Sequence, residues 1–374
     1  MMTESGHKNL LFIIYDLDRG GPELRLLDLA EHLPPDMRMF LCVTSTNLSL
    51  IDRFKKCEIG IDVIPIRKAY LELGKLWQIT TSVRKNRSDI INTYDLKGLV
   101  IALFIKLFSG RKTVLVHHVV DLLHNYRFRQ RTALKILLKI ADRVITNSHD
   151  ALSLLAKDFF PVDRVELIHN GVDVDKFAKG QIRPAEFRDK LGIPPSTRIM
   201  GTVANLRREK EYPFLLRAFK QLLDRHQDMR LLCVGGGPLL EEIKELSRKL
   251  GIDNKVIFPG YVENVPAYLA IMDIFVLCSS SEGFPNTLIQ AMSMEVPVIV
   301  TTVGECPEIV DHGCNGFLFD PGDQERFVAT ACTLLEDREA AAAIARNGKH
   351  KVTATYSLNR MIDHYFEYFR HVAR

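Results

Sequence analysis

Several things are scarce in this sequence, and each shortage excludes a class of protein. Its 374 residues carry a net charge of only +4, one tryptophan and seven cysteines. So small an excess of positive charge does not by itself make a phosphate-neutralising surface, and no nucleic-acid partner is expected. The cysteines include no CxxC and their number is odd. That fits a reducing compartment better than a disulfide framework. Cys306 and Cys314 show no His or Cys spacing typical of a zinc site. No apolar run reaches the ~18 residues of a membrane span, and the best candidate, 99–108, is broken by Lys106. The apolar stretch near the N-terminus is short and followed by acidic residues, unlike a secretory signal. A cytoplasmic chain, peripheral to a membrane at most, is the expectation. There is no internal repeat and no low-complexity tract, and the dinucleotide fingerprint GxGxxG is absent, residues 235–240 reading GGGPLL.

What the sequence does contain is alternation. Short apolar runs at 10–15, 39–44, 61–65, 90–92, 113–117, 143–146 and 165–168 read as buried strands. Amphipathic stretches at 24–33, 77–85, 97–108, 131–140 and 148–158 read as the helices between them. After a turn-rich segment the pattern restarts. Strands are expected at 199–204, 230–234, 255–258, 274–277, 297–301 and 317–319, and helices at 213–225, 238–250, 265–270 and 286–294. Such βα alternation predicts an α/β protein of two Rossmann-like, doubly wound domains facing a central cleft, residues 1–172 and 173–355. Ligands of such sheets bind outside the carboxyl ends of the strands, so the chemistry is sought in the loops that follow them.

Four of those loops stand out. Gly235 to Gly237, before Pro238, lie between a strand and a helix, where glycine lets backbone approach an anion at the helix start; read alone, a tight turn serves equally well. Asn205 to Lys210 place Arg207, Arg208 and Lys210 at a strand's carboxyl end, where they complement a diphosphate or simply face solvent. In SEGFPNT, Pro285 suits a first helical position, and the amides near Thr287 then point at the ligand. Glu282 repels phosphate, so it is read as an acceptor for sugar hydroxyls or as a helix-start acid. In the first half, Gly20 and Gly21 follow the first strand, and His117 or His118 ends a later one. The spacings Asp16/Asp18 and Asp173/Asp175 are read as turn residues rather than metal ligands.

Taken in order, these pieces resemble the retaining GT-B glycosyltransferases of glycosyltransferase family 4, the glycosyl transferases group 1. The motifs are GGxE (Gly20, Gly21, Glu23), ADRVIxxS ending at Ser148, IHNGVD ending at Asp173, the 203–210 segment, VGGGP, FPG ending at Gly260, SEGFPN and VGECPE. The resemblance implies a nucleotide-sugar donor, with a UDP-sugar expected, and Lys210 on its diphosphate. Asn205 stands where the family usually has arginine, leaving Arg207 to supply that charge. The resemblance puts the backbone near Tyr261 on the base. It puts Glu282 and His118, less so His117, on the donor sugar, and Gly283, Phe284, Pro285, Asn286 and Thr287 on the sugar and diphosphate. Leu288 flanks the ribose, and Gln290 replaces the glutamate that usually binds it. No metal or other cofactor is implied. The segment 356–374 resembles the helix that crosses back to the N-terminal domain. A 2-epimerase of the same fold and a non-catalytic homologue are the alternatives.

In this fold the N-terminal domain takes the acceptor, here a glycan or lipid-linked one. Lys97, Lys106, Arg111, Lys112, Arg127, Arg129, Arg131, Lys135 and Lys139 are opposed only by Asp121, with Tyr126 and Phe128 interleaved. Such a face suits an anionic membrane surface or is a solvated basic face.

Overall fold

The computed structural model describes residues 7–18, 20–67, 72–110, 112–119, 128–158 and 160–373. The chain divides into two units, one formed by Met1–His169 with Met361–Arg374 and the other by Asn170–Arg360.

The first unit is built on seven strands, β1 (Lys8–Ile14), β2 (Met37–Val43), β3 (Gly60–Val63), β4 (Ile90–Thr93), β5 (Val114–Val119), β6 (Arg143–Thr146) and β7 (Val165–Leu167). All pairs are parallel, in the order β3-β2-β1-β4-β5-β6-β7. A strand covered on both faces needs apolar residues at successive positions, and the buried run Leu10 to Ile14 of β1 shows it. The second unit repeats the plan with β8 (Arg198–Val203), β9 (Met229–Val234), β10 (Val256–Gly260), β11 (Ile274–Leu277), β12 (Val298–Thr301) and β13 (Phe317–Phe319). Its order is β10-β9-β8-β11-β12-β13, again all parallel. Two doubly wound α/β sheets with flanking helices are therefore present, as the alternation predicts.

The departures are local. The helix expected from residue 77 begins four residues earlier (Leu73–Lys85), because Leu73 and Gly74 add no buried apolar position to its pattern. A short helix, Ile51–Lys55, has too few residues to show a period. The helix expected over 131–140 runs Phe128–Leu137 and tightens into a 3₁₀ turn, Leu138–Ile140. Asp16 and Asp173 each accept a backbone amide two residues on, which is turn chemistry.

The last helix, Leu358–Val372, packs in the first unit from Met361 onward. Tyr365 and Phe369 are fully buried, the Phe369 ring meeting Phe12 of β1 edge-on at 6.1 Å. Arg25, itself buried, donates to the Tyr365 hydroxyl at 3.3 Å. Arg370 grips Asp36 through two nitrogens at 2.8 and 3.0 Å, and that hydrogen-bonded guanidinium holds the Asp36 carboxyl below its usual range. Lys8 closes the contact on the carbonyl of Ala373. Phe369→Ala should therefore cost about 3–5 kcal/mol by denaturant unfolding. A wild-type midpoint would mean that this ring does not complete the core.

Candidate functional site

In the second unit the strand order reverses between β8 and β11, and at such a switch point the loops leaving the carboxyl ends diverge and open a crevice. A cavity of about 320 Å³ lies there, walled by Asn205 and Lys210 after β8, Gly235 after β9 and Tyr261 after β10. Glu282 and the Phe284 to Thr287 stretch after β11 complete it.

At its centre is an ion pair. Lys210 ends a 3₁₀ turn, Arg208–Lys210, and its Nζ lies 2.5 Å from Glu282 Oε1. The Ser279 hydroxyl donates to the same oxygen at 2.6 Å, and the Ser279 carbonyl accepts from Thr301 at 2.7 Å. The Ser280 amide bonds the carbonyl of Glu209, which ties the two loops together. Only 9 % of the Glu282 side chain and 19 % of Lys210 are exposed. A buried carboxylate needs such partners to remain charged. The sequence reading placed Lys210 on a diphosphate and Glu282 on hydroxyls; here they are each other's partner. Both bonds fall on Oε1, and none is seen to Oε2 among the described residues.

The glycines have a structural reason of their own. Gly235 has φ +139°, and a Cβ there would sit 2.1 Å from the carbonyl oxygen of Ala204. The gap expected for a ligand is filled by the neighbouring loop, while the Gly235 backbone still lines the cavity. Gly237 packs likewise on Leu206. Pro285 is not the first helical residue: with φ −81° and ψ 88° it is the N-cap, and the helix is Asn286–Ser293. The first amides of a helix have no intrahelical acceptor, and those of Asn286 and Thr287 lie at the cavity wall. Asn286 Oδ1 also accepts from Asn170 at 2.7 Å.

Of the second-unit residues expected at the donor, Arg207, Gly237, Gly283, Leu288 and Gln290 are not in that wall. Arg207 is exposed on its turn. Leu288 is buried in the apolar core of the unit, on the inner side of its helix. Gln290, half-buried, stands one turn beyond the wall residues Asn286 and Thr287. Conversely, Ser279 and Gly304 escaped the sequence reading, although both lie in or beside quoted motifs. A Cβ on Gly304, which has φ +55°, would lie 2.2 Å from the carbonyl oxygen of Glu282, so this glycine sets where the Glu282 loop passes. The signal was the VGECPE motif, which matched without a role.

In the first unit, His117 and His118 end β5 with their rings buried. His117 Nδ1 meets the Thr93 hydroxyl at 2.8 Å, and burial pushes its pKa down to about 3. His118 Nε2 bonds Asn92 Oδ1 at 2.9 Å, its ring stacked 4.4 Å from Tyr94 and 6.0 Å from Tyr365. Burial, reinforced by the Arg25 charge, holds it well below the ordinary histidine range, so both rings are neutral at pH 7. With Nε2 donating to Asn92, Nδ1 is an acceptor, and it is buried without a partner among the described residues. Gly20 caps the helix Gly21–Glu31, and the space of its missing Cβ holds the Glu23 carboxylate. Of the basic segment, Arg111, Asp121, Tyr126 and Arg127 lie outside the described residues, as do the side chains of Phe128 and Arg129.

Gly304→Ala should destabilise the chain by about 1–3 kcal/mol, because both the left-handed backbone and the Glu282 carbonyl oppose the new methyl. Thermal unfolding measures it, and an unchanged midpoint would show that the loop yields freely.

Comparison with known proteins follows the same two-unit division. The family described as "Glycosyltransferase Family 4" matches residues 19–176, and "Glycosyl transferases group 1" matches residues 184–351. Among curated relatives, an N-acetyl-alpha-D-glucosaminyl L-malate synthase from Bacillus anthracis is 28% identical over 63% of this chain and 61% of its own. A GDP-mannose-dependent alpha-(1-6)-phosphatidylinositol monomannoside mannosyltransferase from Mycolicibacterium smegmatis is 31% identical over 59% of this chain and 60% of its own. The chain thus matches about three fifths of the length of each. A UDP-Gal:alpha-D-GlcNAc-diphosphoundecaprenol alpha-1,3-galactosyltransferase from Escherichia coli is 24% identical over 81% and 79%. Among solved structures, HepE of Anabaena in complex with UDP superimposes with a TM-score of 0.86 at 21% identity, over 97% of this chain and 100% of that one. The fold is that of the GT-B glycosyltransferases, and the chain belongs to the glycosyl transferases group 1, glycosyltransferase family 4.

Proposed function

We propose that the chain transfers a sugar from a nucleotide diphosphate sugar, a UDP-sugar in our reading, to a glycan or lipid-linked acceptor in cell-surface polysaccharide synthesis. The observation that carries this is the buried Lys210–Glu282 pair beside the amides of Asn286 and Thr287, in one cavity at the sheet's switch point. A diphosphate would draw Lys210 to itself, and a sugar hydroxyl would replace that ammonium on Glu282. The UDP and UDP-glucose complexes of the Anabaena protein and the UDP-Gal of the Escherichia coli relative's name support a uridine donor. The mycobacterial relative's GDP-mannose is the competing base. Tyr261, largely exposed on the cavity wall, offers its flat ring and adjoining backbone to either.

In this mechanism catalysis is positioning and charge stabilisation. As the anomeric bond to the diphosphate breaks, negative charge grows on the leaving oxygen. Lys210 and the helix-start amides stabilise it, and Arg207 is proposed to swing in from its exposed turn. That oxygen then takes the acceptor's proton on the same face, so the anomeric configuration is retained. With this positive charge at hand, no metal ion is assigned a step. His118 Nδ1, a buried acceptor with no partner among the described residues, is proposed to receive a sugar hydroxyl, which requires the Tyr94 and Tyr365 rings to part. No helix among the described residues is long and apolar enough to cross a membrane. We place the chain on the cytoplasmic side of the membrane as a peripheral protein.

Lys210→Ala and Glu282→Gln should each lower nucleotide release from the donor by about a hundredfold or more, and full activity in both would end this assignment. Gln290→Glu should tighten UDP binding about fivefold, the ratio between a charged and a neutral hydrogen bond. Titration calorimetry with UDP and GDP reads it, and an unchanged affinity would take the ribose away from this residue.

A further inference from the structure

We propose that the paired helices Leu73–Lys85 and Leu96–Phe108 of the first unit form a docking face for an anionic lipid bilayer, centred on Trp77, Leu107 and Phe108. The helices are in contact, and the inner side of the second already fills the core with Leu99, Ile101, Ala102 and Ile105. Yet Leu73 is 56% exposed, Trp77 44%, Leu107 67% and Phe108 44%. The rings form one cluster, Trp77 meeting Phe104 edge-on at 5.7 Å and Phe108 at 5.6 Å, with Phe104 and Phe108 4.6 Å apart. The chain's single tryptophan therefore lies in an exposed apolar patch.

The charge within the two helices has one sign, and carboxylates stand only on the elements that flank them. The two helices carry Lys75, Arg84, Lys85, Lys97 and Lys106 and no carboxylate. Glu72 and Asp142 neutralise Lys75 and Lys106, but Arg84 and Lys85 have no carboxylate partner among the described residues. Arg84 is held in place by the carbonyls of Ser109, at 2.8 Å, and Phe108, with its guanidinium 6.0 Å from the Trp77 ring centre. Exposed aromatic rings with the Arg84 guanidinium beside them and Lys85 next along the helix suit the headgroup layer, where the rings enter the acyl boundary and the cations meet anionic phosphate. A second copy of the chain is a poorer occupant, since a two-fold contact would set these cations against themselves. This surface rests on the peripheral placement proposed above and gives it a location, while the sugar-transfer chemistry is tested separately by donor turnover.

Trp77 makes the test direct, because intrinsic tryptophan fluorescence reports this patch alone. The full chain is mixed at low salt with vesicles of phosphatidylcholine, or of phosphatidylcholine with phosphatidylglycerol. Co-sedimentation with the anionic vesicles only, with a blue shift of Trp77 emission that high salt reverses, is expected. Leu107→Asp should weaken binding about tenfold or more, and Lys85→Gln about fivefold. Both side chains are exposed, so the thermal midpoint should hold, and donor turnover with a soluble acceptor should be unchanged. The proposal is overturned by no association at low salt, by association that ignores both substitutions, or by self-association that buries Trp77 without vesicles.

Discussion

A parallel strand must be covered on both faces, and this requirement governs where chemistry can occur in the molecule. Side chains along β8 and β11 are mostly committed to packing, so the charged groups stand at or beyond the strand ends and not between them. At the switch point two such ends diverge, and Lys210 and Glu282 meet there from opposite loops. Their pairing depends on the sheet beneath. Thr301, at the end of β12, fixes the Ser279 carbonyl, and Ser279 in turn fixes the Glu282 carboxylate. The site is the consequence of how three adjacent strands stop.

Much of this was legible in the sequence because burial writes itself as apolar runs. The strands appear where the Ile, Val and Leu runs predict them, and the restart near residue 199 gave the second sheet. The loops were legible for a different reason. Glycine, proline and charge concentrated directly after a strand have few bland explanations when they recur three times in one unit. What stayed hidden depends on contacts between distant residues. Nothing local to Gly304 says that its missing Cβ makes room for the carbonyl of Glu282, and nothing local to Ser279 says which carboxylate it holds. The N-cap role of Pro285 was hidden too, since proline is equally at home one position later.

The same logic gives the two histidines of the first unit different surroundings. Residues 117 and 118 alternate across a buried strand, so each enters a different packed layer, one against Thr93 and the other among Tyr94, Tyr365 and Phe12. Two adjacent histidines read as a functional signal, but the alternation of a strand decides that they cannot share one environment. The glycine run 235–237 makes a parallel point. Its residue type was read as room for a ligand, and most of that room is occupied by the backbone of Ala204 and Leu206. Close approach is real in both readings; the partner differs.

The closing helix Leu358–Val372 bears on the order in which the protein is made. The core of the first unit includes Tyr365 and Phe369, which are synthesised only after the whole of the second unit. The seven strands of the first unit leave the ribosome with part of their core missing, whereas the second unit is contiguous in sequence and complete by Arg360. Domains usually mature from the N-terminus onward during synthesis. Here the first-made half must wait, holding an open apolar surface around Phe12, until the last turns of the chain arrive to seal it.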